Sequence, residues 1–232
     1  MISDLSIHII HYTKLMDRKK FLDSIFLKEN LKVNYITDHD REDLNYANSL
    51  YNYQKDQDKF LFKIKELWKI DSEEFRILSD GELSCYFKHL EALKKISESE
   101  NSIGLILEDD VIPQKSIKNN LLKISKRFSN SNWDVVFLGL GSGKKFIKKN
   151  SRRDFFHINY LMPQHPASNC AEAYMVKKDA AQILFNELST FNLSYDWELA
   201  YKMYKRNLNV RWLFPPLFKQ GSQDSTYRSE LR

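Results

Sequence analysis

Ile103-Gly104-Leu105-Ile106-Leu107-Glu108-Asp109-Asp110-Val111 runs an apolar stretch straight into three consecutive carboxylates. An apolar run of this length reads as a strand buried on both faces, as in a parallel sheet. Ligands of open α/β sheets gather at the carboxyl ends of such strands. Three acids packed there repel one another, and a bound cation relieves the repulsion. Hard divalent ions, Mg²⁺ or Mn²⁺, prefer carboxylates and often complete their shells with substrate phosphates. The stretch predicts an α/β fold with a metal-assisted site for a phosphate-bearing substrate at the sheet edge.

The flanking sequence supplies the rest of such a sheet. Ile7-His8-Ile9-Ile10 reads as a first strand, and helical spacing runs from about Met16 to Lys28 with Phe21, Leu22, Ile25 and Phe26 inward. Val33-Asn34-Tyr35-Ile36 alternates like a second strand. Strand, helix, strand opens a doubly wound sheet. Ser79 with Glu82 three residues on fits a capping box, and Leu83, Phe87, Leu90 and Leu93 then mark an amphipathic helix to about Ser97. Beyond the acidic turn, a helix is expected over about 115–128, strands over 134–139 and 171–176, and a helix over 178–188. Asp196 reads as the N-cap of a helix to about Arg206, and 210–214 as a last strand stopped by Pro215-Pro216. Residues 41–75 read as a less regular excursion, a lid or partner surface, within one domain spanning 1–232.

Composition narrows the class. Hydrophobic residues form 42% of the 232, enough for a sizeable core. No apolar run approaches the roughly 20 residues that span a bilayer. The start lacks a basic n-region followed by an apolar h-region, so a cytoplasmic protein is expected. Cys85 and Cys170 form no CxxC or zinc spacing and read as free thiols. Net charge is +5, with Lys144, Lys145, Lys148, Lys149, Arg152 and Arg153 crowded after Gly141-Ser142-Gly143. That cluster is either a solvated loop or a patch for anionic lipid headgroups or an acidic acceptor.

The order of these pieces resembles glycosyltransferase family 25, the lipopolysaccharide sugar transferases that include bacterial β-galactosyltransferases. Arg18 follows the first strand; Leu78-Ser79-Asp80-Gly81-Glu82-Leu83-Ser84-Cys85 with His89 four residues later is similar to the family's "L-S-x-G-E-x-x-C-x-x-S-H" signature. Ile106-Leu107-Glu108-Asp109-Asp110-Val111 is similar to its "I-L-E-D-D-V" block; Ala173-Tyr174, Asp196-Trp197, Pro216 and Gln220 follow. Phe87-Lys88 stands where the family usually has small or Ser residues. The resemblance implies a GT-A fold, a single Rossmann-like mixed sheet flanked by helices. It also implies an inverting, metal-dependent hexosyltransferase, most often using UDP-galactose, that acts on a lipopolysaccharide or other surface glycan.

Under that resemblance, Asp110 is the expected ligand of Mn²⁺ or Mg²⁺, and Glu108 or Asp109 holds the donor's ribose or a metal-bound water. The plainer alternative is that the acidic triplet only caps the 115–128 helix. Asp196 is the expected general base, with Glu198 and Glu172 as alternatives; its plainer role is an N-cap. Gly81 and Glu82 either adjoin the donor or merely close the capping box. His89 is either a donor contact or a hydrogen-bonded structural group. Arg18 either pairs with the diphosphate, flanks the uracil or is a surface residue. Gln220 is placed near the donor phosphates, and Cys85 in the core. The competing enzyme class is a metal-dependent nucleotidyltransferase or phosphohydrolase using the same acids. His11-Tyr12-Thr13-Lys14 stands where such nucleotidyltransferases carry a glycine-rich loop. A basic nucleic-acid module is the non-enzymatic alternative, without a recognisable motif for bases.

Overall fold

The computed structural model describes residues 4–44, 52–53, 77–128, 132–139, 151–153, 159–161, 170–223 and 225–229. The chain opens with β1 (Leu5–Ile10), α1 (Met16–Lys28) and β2 (Asn34–Ile36), followed by the short β3 (Asn52–Tyr53). Then come α2 (Asp80–Glu98), β4 (Ile103–Glu108), β5 (Val111–Pro113), α3 (Ile117–Phe128) and β6 (Val135–Phe137). After β7 (Ser151–Arg153) and β8 (Asn159–Leu161) lie β9 (Ala173–Lys177), α4 (Lys178–Leu188), β10 (Thr190–Phe191) and α5 (Tyr195–Lys205). The last strands are β11 (Val210–Phe214) and β12 (Phe218–Gln220).

Among the described residues the main sheet has eight strands in the order β2-β1-β4-β9-β6-β11-β8-β7. β2, β1 and β4 are parallel; β9 runs antiparallel to both β4 and β6, and β8 antiparallel to β11. The sheet is therefore mixed. This is the mixed sheet that the family resemblance implies, and the apolar runs alone do not reveal which strand runs antiparallel. The burial of β9 matches that of β4, since helices cover both faces, so strand direction leaves no trace in the pattern.

Alternation along the strands splits the core in two. Ile10, Ile106, Val135, Tyr174 and Trp212 face α2, α4 and α5, whereas Ile9, Leu105, Val136 and Met175 face α1 and α3. Helix α2 starts as the capping box requires: Ser79 Oγ accepts from the Glu82 amide at 3.3 Å, and Glu82 Oε2 accepts from the Ser79 amide at 2.9 Å. Gly104 lets α2 lie close on β4, because a Cβ there would meet Ile96 Cδ1 at 2.2 Å.

Three local expectations are corrected. Ser194, not Asp196, is the N-cap of α5; Asp196 sits one residue inside the helix. The amides opening α3 are capped by Glu29, which accepts from Ile117 N at 2.9 Å and also from Lys118 N. The acidic triplet therefore does not cap that helix: a carboxylate from the end of α1 has taken the role. Finally, Arg152 and Arg153 fall within the edge strand β7 rather than a loop. Lys144 to Lys149, Pro163-Gln164-His165-Pro166 and most of the 41–75 excursion lie outside the described residues.

A second, two-stranded sheet completes the sheet edge. β12 pairs antiparallel with β5, setting Gln220 opposite Val111, and the Gly221 amide donates to the Asp110 carbonyl at 2.8 Å. This pairing carries residues 220–223 and 225–229 onto the acidic turn.

Candidate active site

Glu108 ends β4 and Asp109 opens the turn after it, and the two point to different sides. Asp109 turns toward α1. Its Oδ1 accepts from Arg18 Nη1 at 2.8 Å, and its Oδ2 accepts from the Tyr12 amide at 3.1 Å and lies 2.9 Å from His11 Nδ1. Arg18 Nη2 in turn donates to the Arg228 carbonyl at 2.6 Å, and its guanidinium lies 5.0 Å from the Tyr227 ring centre. Asp109 is thus a buried bracket joining β1, α1 and the C-terminal segment.

Glu108 turns toward α2. Its Oε1 lies 3.4 Å from His89 Nε2, and its Oε2 accepts from Gln220 Nε2 at 3.3 Å. Burial pushes its carboxyl well above the ordinary range, and the charges of Asp110, Glu172, Asp196 and Asp109 push it further. Asp110, only 5% exposed, accepts from the Ser222 amide at Oδ2, 3.3 Å away. Its Oδ1 is buried with no partner among the described residues. Burial raises this carboxyl too, and Asp109 adds to the effect. Buried carboxylate oxygens are normally satisfied. An orphaned one beside a second strained carboxylate fits a divalent cation, which accepts oxygen ligands and lowers the cost of ionising both.

These groups border an open cleft. Tyr12, Leu15, Arg18 and Arg41 line one wall and Gly81, Ser84, Cys85 and Lys88 of α2 the other. Glu108, Asp109 and Asp110 form its floor, with Gln220, Ser222 and Ser229 from the C-terminal segment. Among the sequence-predicted residues, Arg18, Gly81, Glu108, Asp109, Asp110 and Gln220 all line it. Glu82 closes the capping box instead. His89 lies fully buried behind the wall, stacked on Tyr195 at 3.9 Å between ring centres, and burial lowers its pKa to about 3.

Asp196 is half-buried and does not line the cleft. Its Oδ1 accepts from Ser194 Oγ at 2.7 Å and from the Trp197 amide at 3.0 Å. Burial raises its carboxyl, and its charge is one of those felt by Glu108. Of the alternative bases, Glu198 is fully buried and accepts at Oε1 from the Asn192 and Leu193 amides, at 2.7 and 3.1 Å. Glu172, 2% exposed, packs so closely on Gly139 that a Cβ there would meet its Oε1 at 2.0 Å.

Sequence reasoning missed much of the α2 wall. Gly81, Ser84, Cys85 and Lys88 recur at helical spacing, which could have exposed a second, cleft-facing stripe beside the apolar one. Lys88 is 1% exposed, paired with Asp40 and donating to the His11 carbonyl at 2.6 Å. The bulk that departs from the family signature is thus a buried strut between α2 and the β1 exit. Cys85, His89 and Glu108 also converge, with one ligating atom from each all within 4.8 Å of one another.

An acidic cleft at the carboxyl edge of a mixed, helix-flanked sheet places the chain among GT-A-like α/β enzymes. Residues 4–199 match the sequence model of glycosyltransferase family 25 (LPS biosynthesis protein), and the chain belongs to that family: it is a glycosyltransferase. No curated protein sequence matches it. Among solved structures it is similar to a glycosyltransferase involved in the glycosylation of the major capsid of PBCV-1, at 12% identity and TM-score 0.47, covering 93% of this chain and 91% of that one. It is also similar to A197 from STIV, at 12% identity and TM-score 0.43, covering 92% and 82%. A third is S. aureus TarS 1-349 in complex with UDP-GlcNAc, at 12% identity and TM-score 0.44, covering 93% and 58%.

Proposed function

We propose that this glycosyltransferase is inverting and divalent-metal-dependent, and that it moves a hexose, galactose from UDP-galactose, onto a lipopolysaccharide or other surface glycan. The observation that carries the reading is the buried Asp110 Oδ1, without a partner among the described residues, beside Glu108 on the cleft floor. Asp110, with Glu108 beside it, would hold Mn²⁺ or Mg²⁺. When bound, such an ion supplies Lewis-acid stabilisation of the departing diphosphate.

The chain's own groups do the rest. Arg18, held by Asp109, presents its guanidinium to the cleft where a phosphate or the uracil would lie. Gly81 leaves room at the α2 wall for the donor, with Glu82 and His89 fixing the start and back of that helix. Gln220 braces Glu108. Asp196, although outside the cleft lining, is the proposed base: its carboxylate would take the proton of the acceptor hydroxyl as that oxygen attacks the anomeric carbon from the face opposite the diphosphate. A carboxyl raised toward the working pH is the better base for that transfer. Glu198 is fully buried whereas Asp196 is half-buried, which favours Asp196 over it. The galactose assignment rests on the family resemblance.

Thermal shift with UDP tests the donor reading: stabilisation that requires Mn²⁺ and is not reproduced by ATP or an oligonucleotide supports it. UDP stabilisation indifferent to metal and to Asp110→Asn overturns it. Among the described residues no helix is long and apolar enough to cross a membrane. The basic cluster from Lys144 to Arg153 would hold the enzyme peripherally on anionic headgroups at the inner face of the membrane. Liposome co-sedimentation unchanged after neutralising Lys144, Lys145, Lys148 and Lys149 removes that role.

A further inference from the structure

We propose that Cys85, His89 and Glu108 form a second cation site, selective for zinc-like ions, whose occupation inhibits the enzyme by taking a Glu108 oxygen away from the cleft floor. Cys85 and His89 stand one turn apart on α2, so their side chains share a face. The last residue of β4 rises to meet them, and the ligating atoms all lie within 4.8 Å of one another. The separation of His89 Nε2 from Glu108 Oε1, 3.4 Å, is long for a hydrogen bond. It is close to the edge of a tetrahedron built on bonds of about 2.0–2.1 Å, as zinc makes to imidazole and carboxylate.

The surroundings suit a metal-binding imidazole. His89 Nδ1 lies 3.3 Å from Tyr174 Oη, which lies 2.8 Å from Tyr195 Oη, while the ring stacks on Tyr195. An outer-shell partner on the second nitrogen orients a ligating histidine. Cys85 and Glu108 line the cleft, so a fourth position opens toward solvent or substrate.

Thiolate, imidazole and carboxylate together select zinc-like ions over Mg²⁺ or Mn²⁺. Cys85 would bind as thiolate, its proton passing to solvent. Glu108 Oε1 already faces His89 and would go to this ion, while Oε2 keeps Gln220 at 3.3 Å, so one Glu108 oxygen is lost to the hard-cation site. The inhibitory consequence rests on the proposed role of Glu108 at the hard-cation site; the binding itself does not.

Metal-stripped full-length protein is titrated with Co²⁺, and a thiolate-to-cobalt charge-transfer band is followed in the near ultraviolet. The expected result is a one-to-one band, displaced by Zn²⁺, lost in Cys85→Ser and kept in Cys170→Ser. No band, or a band that follows Cys170 instead, overturns the site. A measurement on the unmodified chain guards against a misfolded variant. Zn²⁺ at about ten times its dissociation constant should slow alkylation of Cys85 by about tenfold and leave Cys170 unchanged. Equal alkylation with and without Zn²⁺ overturns the proposal. Finally, Zn²⁺ should abolish the Mn²⁺-dependent stabilisation by UDP. A cobalt band without any UDP effect would sink the donor reading and its inhibition while leaving the zinc site standing.

Discussion

Arg18 and Asp109, 91 residues apart, form a buried ion pair with Nη1 and Oδ1 at 2.8 Å. This pair links the first helix to the acidic turn, and through the Arg228 carbonyl it also holds the C-terminal segment over the cleft. Removing one partner of a buried pair strands the other charge. Asp109→Ala should therefore destabilise the fold by about 3–5 kcal/mol. The double change Arg18→Met with Asp109→Leu should recover much of that loss in chemical denaturation. A double variant as unstable as Asp109→Ala would show that the bracket's backbone contacts, not its charges, matter.

Asp110 and Asp196 should separate binding from chemistry. Asp110→Asn should remove the metal dependence of UDP binding while leaving the unfolding midpoint of the unliganded protein unchanged or higher, because a strained carboxylate is gone. Asp196→Asn should spare donor binding and lower turnover by about 10²- to 10⁴-fold, the usual contribution of a general base. Undiminished turnover in Asp196→Asn would move the base elsewhere.

Glu108 should give the unliganded enzyme an unusual pH profile. Its folded-state pKa is raised, so its contribution is fully present below the unfolded value and is lost as pH rises through the raised one. Each unit of such a shift is worth about 1.4 kcal/mol. Glu108→Gln should accordingly be more stable than the parent at neutral pH, with the advantage vanishing near pH 4. Saturating Mn²⁺ should narrow the difference at neutral pH. A Glu108→Gln protein less stable than the parent at pH 7 would refute the electrostatic account.

His8 should set part of the acid limit. The ring is 4% exposed, neither nitrogen has a partner among the described residues, and burial lowers its pKa to about 4. A depressed histidine contributes stability above its unfolded value near 6.5 that is lost as pH falls toward 4. Replacing His8 by Leu should remove on the order of 3 kcal/mol of this acid sensitivity between pH 6.5 and 4. His89, lowered to about 3 by burial, should leave a residual slope. Denaturation midpoints across that window test the assignment.

Half-buried Glu29 should matter to the stability of α3. Its carboxylate takes the amides of Ile117 and Lys118 from outside the helix. Glu29→Ala should cost about 0.5–2 kcal/mol, the range of a lost N-cap, with no change in UDP affinity. A change in affinity instead would tie the start of α3 to the donor site.

The elements legible in sequence were those whose residues repeat at a fixed period. α1 spans Met16–Lys28, α4 Lys178–Leu188 and β11 Val210–Phe214, as the spacing of their apolar residues predicts. The capping box at Ser79 and Glu82 was equally legible, because both partners lie within one helical turn. The start of α3 was not, because its cap arrives from Glu29, about 88 residues earlier.

The chain's apolar periodicity and its acidic triplet, by themselves, determined an α/β sheet with carboxylates at its edge; both are local properties, carried by neighbours along the backbone. Only the folded chain decided that Asp109 is consumed by Arg18 while Asp110 keeps an oxygen unpartnered among the described residues. It likewise decided that β9 runs backwards, and that Cys85, His89 and Glu108 share one corner. Adjacent acids look alike in sequence. Their chemistry diverges because the turn between β4 and β5 points them toward different partners, and those partners come from segments far apart along the chain.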